Sequence, residues 1–241
     1  MPYKDKIKKV MGKAIKDYHL IEDGDKVLVG LSGGKDSMAL LELLAAQSKI
    51  FKPRFTVEAV YVRMRNIPYQ SDEDYLSAFA ASKDVTLHIV ETSFDIQEDK
   101  KKTPCFLCSW YRRKKIFETA KALGCNKLAL GHHKDDIMQT AMMNLTFNGR
   151  LETMPPLLKM DKFDMTIIRP LCLVREKELR KMAEEQEYHQ QIKNCPYEHD
   201  THREDIKKIV RELEQINPEF EYSLLHAIEK REDSKGYDNN S

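Results

Sequence analysis

The chain has 241 residues, 41% hydrophobic and 33% charged, with 40 Lys and Arg against 39 Asp and Glu for a formal net charge of +1. That length and apolar content support a real core in one large domain or one domain plus an appendage, and exclude a disordered or disulfide-stapled chain. Near-neutrality excludes a global pull towards nucleic acid. Five cysteines without a secretion signal, and no apolar run of membrane-spanning length, lead to the expectation of a reduced, cytoplasmic protein with no membrane partner.

In chain order, Ile7, Val10, Met11, Ala14, Ile15 and Tyr18 recur at three- and four-residue intervals and predict an amphipathic first helix. The same segment carries Lys4, Lys6, Lys8, Lys9, Lys13 and Lys16. Like the basic runs at 100–102 and 112–115, it reads either as an RNA-facing patch or as a solvated helix face. Next comes VLVGLSGGKDS (27–37), an apolar run without polar alternation, then a small-residue turn, then the helical pattern MALLELLAAQ (38–47). A turn of that build aims backbone N–H groups at an anion in front of a helix N-terminus. Gly33 and Gly34 permit positive φ and close approach, and Ser32 and Ser37 add hydroxyls. Lys35 follows Gly30 too soon, and Asp36 intervenes, for the common G-x-x-x-x-G-K-S/T loop, so this is a different phosphate cradle.

Strand patterns at 26–31, 56–62, 86–91, 127–131 and 165–169 alternate with helical ones, as at 72–83 and 106–123. The alternation predicts an α/β fold: a doubly wound, mainly parallel five-stranded sheet, Rossmann-like, with ligands beyond the carboxyl ends of its strands. After Pro170 only helical patterns remain, at 176–187, 203–215 and 219–230. The expected organisation is a nucleotide-binding domain over 1–172, a helical region over 173–230 and a disordered tail over 231–241; residues 148–164, with Pro155 and Pro156, read as a loop.

Cys105 and Cys108 form a C-x-x-C at the start of a helix, and Cys195 lies far downstream. Two thiolates at that spacing grip a metal or cluster, and three leave a position for chemistry where a structural zinc site is closed by four ligands. His199 or His202 could supply that fourth ligand, so spacing alone places zinc ahead of iron–sulfur. Cys125 and Cys172 read as small core residues. LALGHHKDD (128–136) repeats the strand–glycine–helix junction and is expected at the same sheet edge as LSGGKDS. Asp135 and Asp136 could hold magnesium or orient a reacting group, or merely favour a helix N-terminus; His132 could be structural, and Met138, Met142 and Met143 read as core.

Taken together, LSGGKDS, the C-x-x-C followed by Arg112 and Arg113, LALGHHKDD, Met154-Pro155-Pro156, IIRPL (167–171) and Arg175-Glu176-Lys177 resemble the PP-loop ATP pyrophosphatase superfamily. Within it they resemble the tRNA 2-thiocytidine synthetase-like sulfurtransferases, from about Gly12 to Cys195. The resemblance implies an adenine nucleotide alpha hydrolase-like fold. It also implies an enzyme that splits ATP between the α and β phosphates, adenylates the 2-carbonyl of a tRNA pyrimidine, foremost cytidine 32 of the anticodon loop, and replaces that oxygen with sulfur. It assigns Leu31, Ser32, Gly33, Gly34, Asp36 and Ser37 to the phosphates of ATP, and Tyr61, Val62, Gly131 and His132 to the nucleoside. Asp135 or Asp136 would serve Mg2+ or catalysis, Arg112 would stabilise the activated base or its phosphate, and Cys105, Cys108 and Cys195 would hold a 4Fe-4S cluster. With the resemblance in view, iron–sulfur moves ahead of zinc.

Cys195 sits in Asn-Cys-Pro-Tyr-Glu where many members of the group carry a second C-x-x-C. The absence of an N-terminal zinc-finger cysteine set favours cytidine over uridine. The implied partners are tRNA, a sulfur donor such as a cysteine desulfurase, and a second copy of the chain. Two competing readings remain at this point: a redox enzyme related to the phosphosulfate reductases, which share an SGGKDS-like loop without cleaving ATP, and a zinc-stabilised nucleotide- or RNA-binding module.

Overall fold

The computed structural model describes residues 1–50, 52–67, 71–95, 103–160, 163–189, 191 and 201–238, without the side chains of 201 and 232–238. The chain runs α1 (Tyr3–Asp17), β1 (Lys26–Gly30), α2 (Lys35–Ser48), β2 (Thr56–Met64), α3 (Glu73–Ala81), β3 (Leu87–Thr92) and α4 (Pro104–Ala122). It continues through β4 (Lys127–Ala129), α5 (Lys134–Asn148), β5 (Leu157–Met160), β6 (Met165–Ile168), α6 (Glu176–Glu185), α7 (Thr201–Ile216) and α8 (Phe220–Asp238).

The strands form one sheet in the order β3-β2-β1-β4-β6-β5. Its neighbours are parallel except for the β5–β6 pair, so the doubly wound sheet expected from the alternating pattern is present. From β1 the chain builds outward to β2 and β3, then returns to lay β4 on the other side of β1. This reversal opens a crevice at the carboxyl ends of β1 and β4, where sheets of this kind take ligands.

Side-chain alternation along the strands sends Leu28, Val60, Val62, Leu128 and Ile167 to one face, where Phe117 and Ala120 of α4 close a core. Helix α2 is buried nearly all round, including Met38, Leu40, Leu41, Leu43 and Leu44, because the sheet lies on one side of it and α6 on another.

Two features depart from expectation. A sixth strand, β5, occupies part of the segment read as a loop. It starts directly after Pro155 and Pro156, where Arg169 N–H donates to the Pro156 carbonyl at 2.8 Å, and as an edge strand it tolerates the adjacent prolines. At the other end, the stretch expected to be disordered from Arg231 continues as helix α8 to Asp238, since nothing before Gly236 interrupts a helical backbone.

The chain falls into two compact units, divided elsewhere than at Cys172. The first comprises Met1–His133 and Pro156–Glu198, and includes α6 because that helix packs on α1 and α2. The second comprises Lys134–Pro155 and His199–Ser241, in which Met138 and Ala141 of α5 pack with Ile206 and Val210 of α7 and Leu224 and Ile228 of α8. Met138, Met142 and Met143 thus serve packing, as read from their spacing.

Candidate active site at the ends of β1 and β4

Leaving β1, Leu31 buries its side chain and donates its N–H to the Val60 carbonyl at 2.9 Å, which holds the chain to the sheet until the turn begins. The turn is then tied by hydroxyls. Ser37 Oγ accepts from Ser32 N–H at 3.1 Å and donates to the Gly34 carbonyl at 2.9 Å, and Ser32 Oγ lies 3.2 Å from Ser37 Oγ. Gly33 has φ of +79°, a conformation for which glycine carries no steric cost. Gly34, the residue before α2, offers no side-chain cap. The first N–H groups of α2 are therefore left to whatever stands in front of them, and the helix dipole favours an anion there.

Asp36 adds a carboxylate to the turn. Its Oδ2 pairs with Lys35 Nζ at 3.1 Å, while its Oδ1 is shielded from solvent and has no hydrogen-bond partner among the described residues. A buried carboxylate oxygen beside a phosphate cradle fits a Mg2+ ion, a hard cation that takes one or two carboxylates together with substrate phosphates.

A cavity of about 710 Å³ opens over Gly33, Gly34, Lys35 and Asp36, walled by Arg180 and Glu184 of α6 and by Tyr188, His189 and Gln191. Lys35 also reaches Glu176 at 3.4 Å. Gln191 accepts from Asp72 N–H at 2.6 Å, and its Cγ lies 2.8 Å from where a Cβ on Gly33 would stand. Neither Glu176 nor Gln191 is singled out by local sequence.

The second junction meets the first. A Cβ on Gly131 would lie 3.1 Å from the Asp36 carbonyl carbon and 3.1 Å from Ser37 N, so only glycine lets the end of β4 press against the first turn of α2. His132 follows half-buried and His133 buried.

On the other side of β1, ladder parity decides what β2 can offer. Ala59 and Arg65 donate to β3-side carbonyls at 2.9 and 3.0 Å, whereas the Val60 carbonyl serves Leu31 on the β1 side. By the two-residue period the backbone of Val62 turns to the β1 side, past Gly30 where β1 ends opposite Val60. Its side chain belongs to the core, and Tyr61 is buried as well; any contact by Val62 with a nucleoside is a backbone contact.

Cys105 and Cys108 are thiols on the first turn of α4, Cys105 exposed and Cys108 partly so; Thr103 caps the turn by accepting from Phe106 N–H at 3.3 Å, and Pro104 opens it. Arg112, half-buried, lies one turn beyond Cys108 on the same helical face. Cys195 and His199 lie outside the described residues. His202 packs its ring against Phe147 at 5.1 Å, in the second unit. Among the described residues no group of three or more His, Cys, Asp or Glu gathers as a metal site.

Asp135 and Asp136 open α5 in the second unit, where Asp136 pairs with Arg203 Nη2 of α7 at 2.7 Å and Arg203 Nε reaches Gln139 at 3.4 Å. Nothing near Asp136 in sequence announces Arg203.

Behind the cradle, Glu42 of α2 is almost fully buried. Lys4 at 2.6 Å, Lys83 at 3.0 Å and the Tyr188 hydroxyl at 2.5 Å all donate to it. Burial pushes its carboxyl up, but the bonds from Lys4, Tyr188 and Lys83 outweigh that and hold it below the usual range. Burial, joined by the Glu42 charge, raises the Tyr188 phenol so that it stays protonated and donating. Lys4 is thus committed to Glu42, as Lys6 is to Glu178 and Lys13 to Asp17, and these three α1 lysines serve ion pairs.

The PP-loop domain family matches residues 3–213. Among curated proteins, the chain is 35% identical to the tRNA-cytidine(32) 2-sulfurtransferase of Geobacter sulfurreducens, over 92% of this chain and 88% of that protein. It is 37% identical to the protein of the same name from Bdellovibrio bacteriovorus, over 95% and 89%. Among solved structures, it matches the U34-tRNA thiolase NcsA of Methanococcus maripaludis, solved with its 4Fe-4S cluster, at a TM-score of 0.75 and 28% identity over 95% of this chain and 78% of that one. The NH3-dependent NAD synthetase of Campylobacter jejuni, at a TM-score of 0.53 and 15% identity over 100% and 97%, shares the fold.

Proposed function

The chain belongs to the PP-loop domain family, and on that premise we propose that it thiolates tRNA, converting cytidine 32 to 2-thiocytidine with cleavage of ATP to AMP and pyrophosphate. The name shared by relatives at 35% and 37% identity supports cytidine over uridine. One observation carries the chemistry: Gly131 brings the chain leaving β4 against the backbone of Asp36 and Ser37, so that it and the turn after β1 lie together at one edge of the sheet.

In this reading the N-terminal N–H groups of α2 and the hydroxyls of Ser32 and Ser37 hold the phosphates, and Asp36 Oδ1 takes Mg2+. The backbone of Val62 recognises the nucleoside, with Gly131 and His132 on its other flank. The pyrimidine 2-carbonyl oxygen attacks the α-phosphorus and pyrophosphate leaves; sulfur then adds at C2 and the oxygen departs within AMP. Donors fixed in advance stabilise charge on the leaving pyrophosphate without reorganising. Arg112 places a guanidinium on the helical face of Cys105 and Cys108, suited to the phosphate of the activated base, and Asp135 or Asp136 orients the reacting group.

Two thiols one helical turn apart, Cys105 exposed and Cys108 partly so, fit the C-x-x-C half of an iron–sulfur donor set, with Cys195 as the third ligand. A 4Fe-4S cluster held by Cys105, Cys108 and Cys195 would supply a binding place for the incoming sulfide. A cysteine desulfurase is the sulfur source in this scheme, and a pair of chains its working form.

The test is the nucleoside profile of tRNA from cells lacking the gene: 2-thiocytidine should disappear and return with the intact gene. Unchanged 2-thiocytidine, or sulfite release from an adenylyl sulfate without ATP consumption, would overturn the reading.

A further inference from the structure

The amino-terminal half of α4 presents three different faces, at about 100° per residue. Leu107 and Tyr111 turn inward onto Met64, Ile67 and Phe94. Cys105, Cys108 and Arg112 share a second face. The third carries Phe106 and Trp110, 49% and 47% exposed, with exposed Arg113 and Lys114 beside them.

Leu107 and Tyr111 anchor the helix, and Trp110 lies outside that anchor. Trp110 is nevertheless held in place. Tyr111, stacked on Phe94 at 6.3 Å, meets its ring edge-on at 4.8 Å, and the Lys114 ammonium sits 5.5 Å from its centroid. The charge is one-sided as well: α4 carries Arg112, Arg113, Lys114, Lys115 and Lys121 against Glu118 alone. Lys115 approaches Glu118 at 3.7 Å, while among the described residues no carboxylate pairs with Arg113 or Lys114. The lysines Lys4, Lys6 and Lys13 of α1, by contrast, are engaged by acids of the same chain.

An exposed ring flanked by cations that no carboxylate pairs among the described residues matches a single-stranded nucleic acid, whose bases stack on aromatic faces while its phosphates take the cations. We propose that Trp110, with Arg113 and Lys114, forms a stacking platform for an unpaired base of the tRNA loop. The proposal rests on the thiolation reading and adds a contact to the tRNA outside the reacting nucleotide. The stripe is centred roughly half a turn around the helix from Cys105, Cys108 and Arg112. A helix about 10 Å across keeps one base from touching both faces, so Trp110 receives a base flanking the reacting cytidine and not the cytidine itself.

Trp110 is the single tryptophan of the chain, so its emission reports on this surface alone. The full, anaerobically cluster-loaded chain is titrated with an anticodon stem-loop RNA, with binding followed in parallel by anisotropy of a labelled copy. Emission should change in step with binding and acrylamide should lose access to Trp110. Trp110→Ala should weaken binding roughly tenfold to a hundredfold. Trp110→Phe should keep most of the affinity, and Lys114→Gln should lower the slope of log affinity against log salt by about one. RNA binding with silent Trp110 emission and an unimpaired Trp110→Ala variant overturns the platform and leaves thiolation standing. Absence of RNA binding by the unaltered chain overturns both. Emission that follows protein concentration instead of RNA assigns the face to a second copy and also overturns the proposal.

Discussion

The junctions after β1 and β4 look alike in sequence, each an apolar strand, a glycine, a few polar residues and a helix, yet they are built for different work. The first is an open turn: Ser32 and Ser37 tie it internally, Gly33 takes the left-handed conformation, and α2 begins without a side-chain cap. At the second, Gly131 has no room for a side chain and serves as a contact against the first, while the carboxylate of Asp136 is engaged by Arg203 of its own unit. A strand–glycine–helix pattern therefore marks an edge of the sheet. What each junction offers there is set by its own residues, hydroxyls and uncapped N–H groups at the first and a close-packed glycine at the second.

The largest expected effect comes from unbinding the first turn. Ser37→Ala removes the hydroxyl that bridges Ser32 and Gly34, and pyrophosphate release from ATP should fall about a hundredfold. Its cost to folding should stay near 1 kcal/mol, read by denaturant melts. Unchanged turnover would erase the distinction between the junctions.

Gly131→Ala tests the contact from the other side. A methyl at 3.1 Å forces the start of α2 to shift by tenths of an ångström, and turnover should drop about tenfold. Gly34→Ala gives the matching control for folding, because its Cβ would meet only Ser32 Oγ at an ordinary 3.6 Å, and its melting should move little.

The rigidity of the first junction depends further along α2, on Glu42. Glu42→Gln leaves Lys4 and Lys83 without their carboxylate; both lysines are partly open to water, so the loss should be about 2 kcal/mol rather than that of a fully buried pair. Because the folded carboxyl is held below its ordinary 4.5, its stabilisation is present above that pH and is lost as pH falls through the folded value. The stability gap between the two proteins should accordingly narrow on acidification below about pH 4.5. A gap that widened there would contradict the assigned charge. Arg203→Ala should have the smallest effect, under about 1 kcal/mol, since its pair with Asp136 is partly solvated.

Much of this was legible from local pattern. VLVGL, LALG and IIRPL announce strands through apolar runs, and LSGGKDS announces its turn through small and hydroxyl-bearing residues. The meeting of Gly131 with that turn followed from placing both junctions at one sheet edge. What local pattern could not supply were partnerships made at long range. Arg203 with Asp136, Gln191 over Gly33 and Lys4 with Glu42 each join distant segments, although a lone glutamate inside MALLELLAA was a visible sign that something charged must meet it. Strand β5 was hidden by its shortness and its prolines, and exists because β6 offers an edge.

The central claim is that ATP cleavage at the first junction activates a tRNA cytidine for sulfur. It is tested most directly by incubating the anaerobically reconstituted chain with tRNA, ATP and sulfide and measuring pyrophosphate and tRNA nucleosides from the same reaction. 2-Thiocytidine should appear with equimolar pyrophosphate, and neither product should form without ATP. Pyrophosphate without any thiolated nucleoside, or thiolation that proceeds when ATP is omitted, would contradict it.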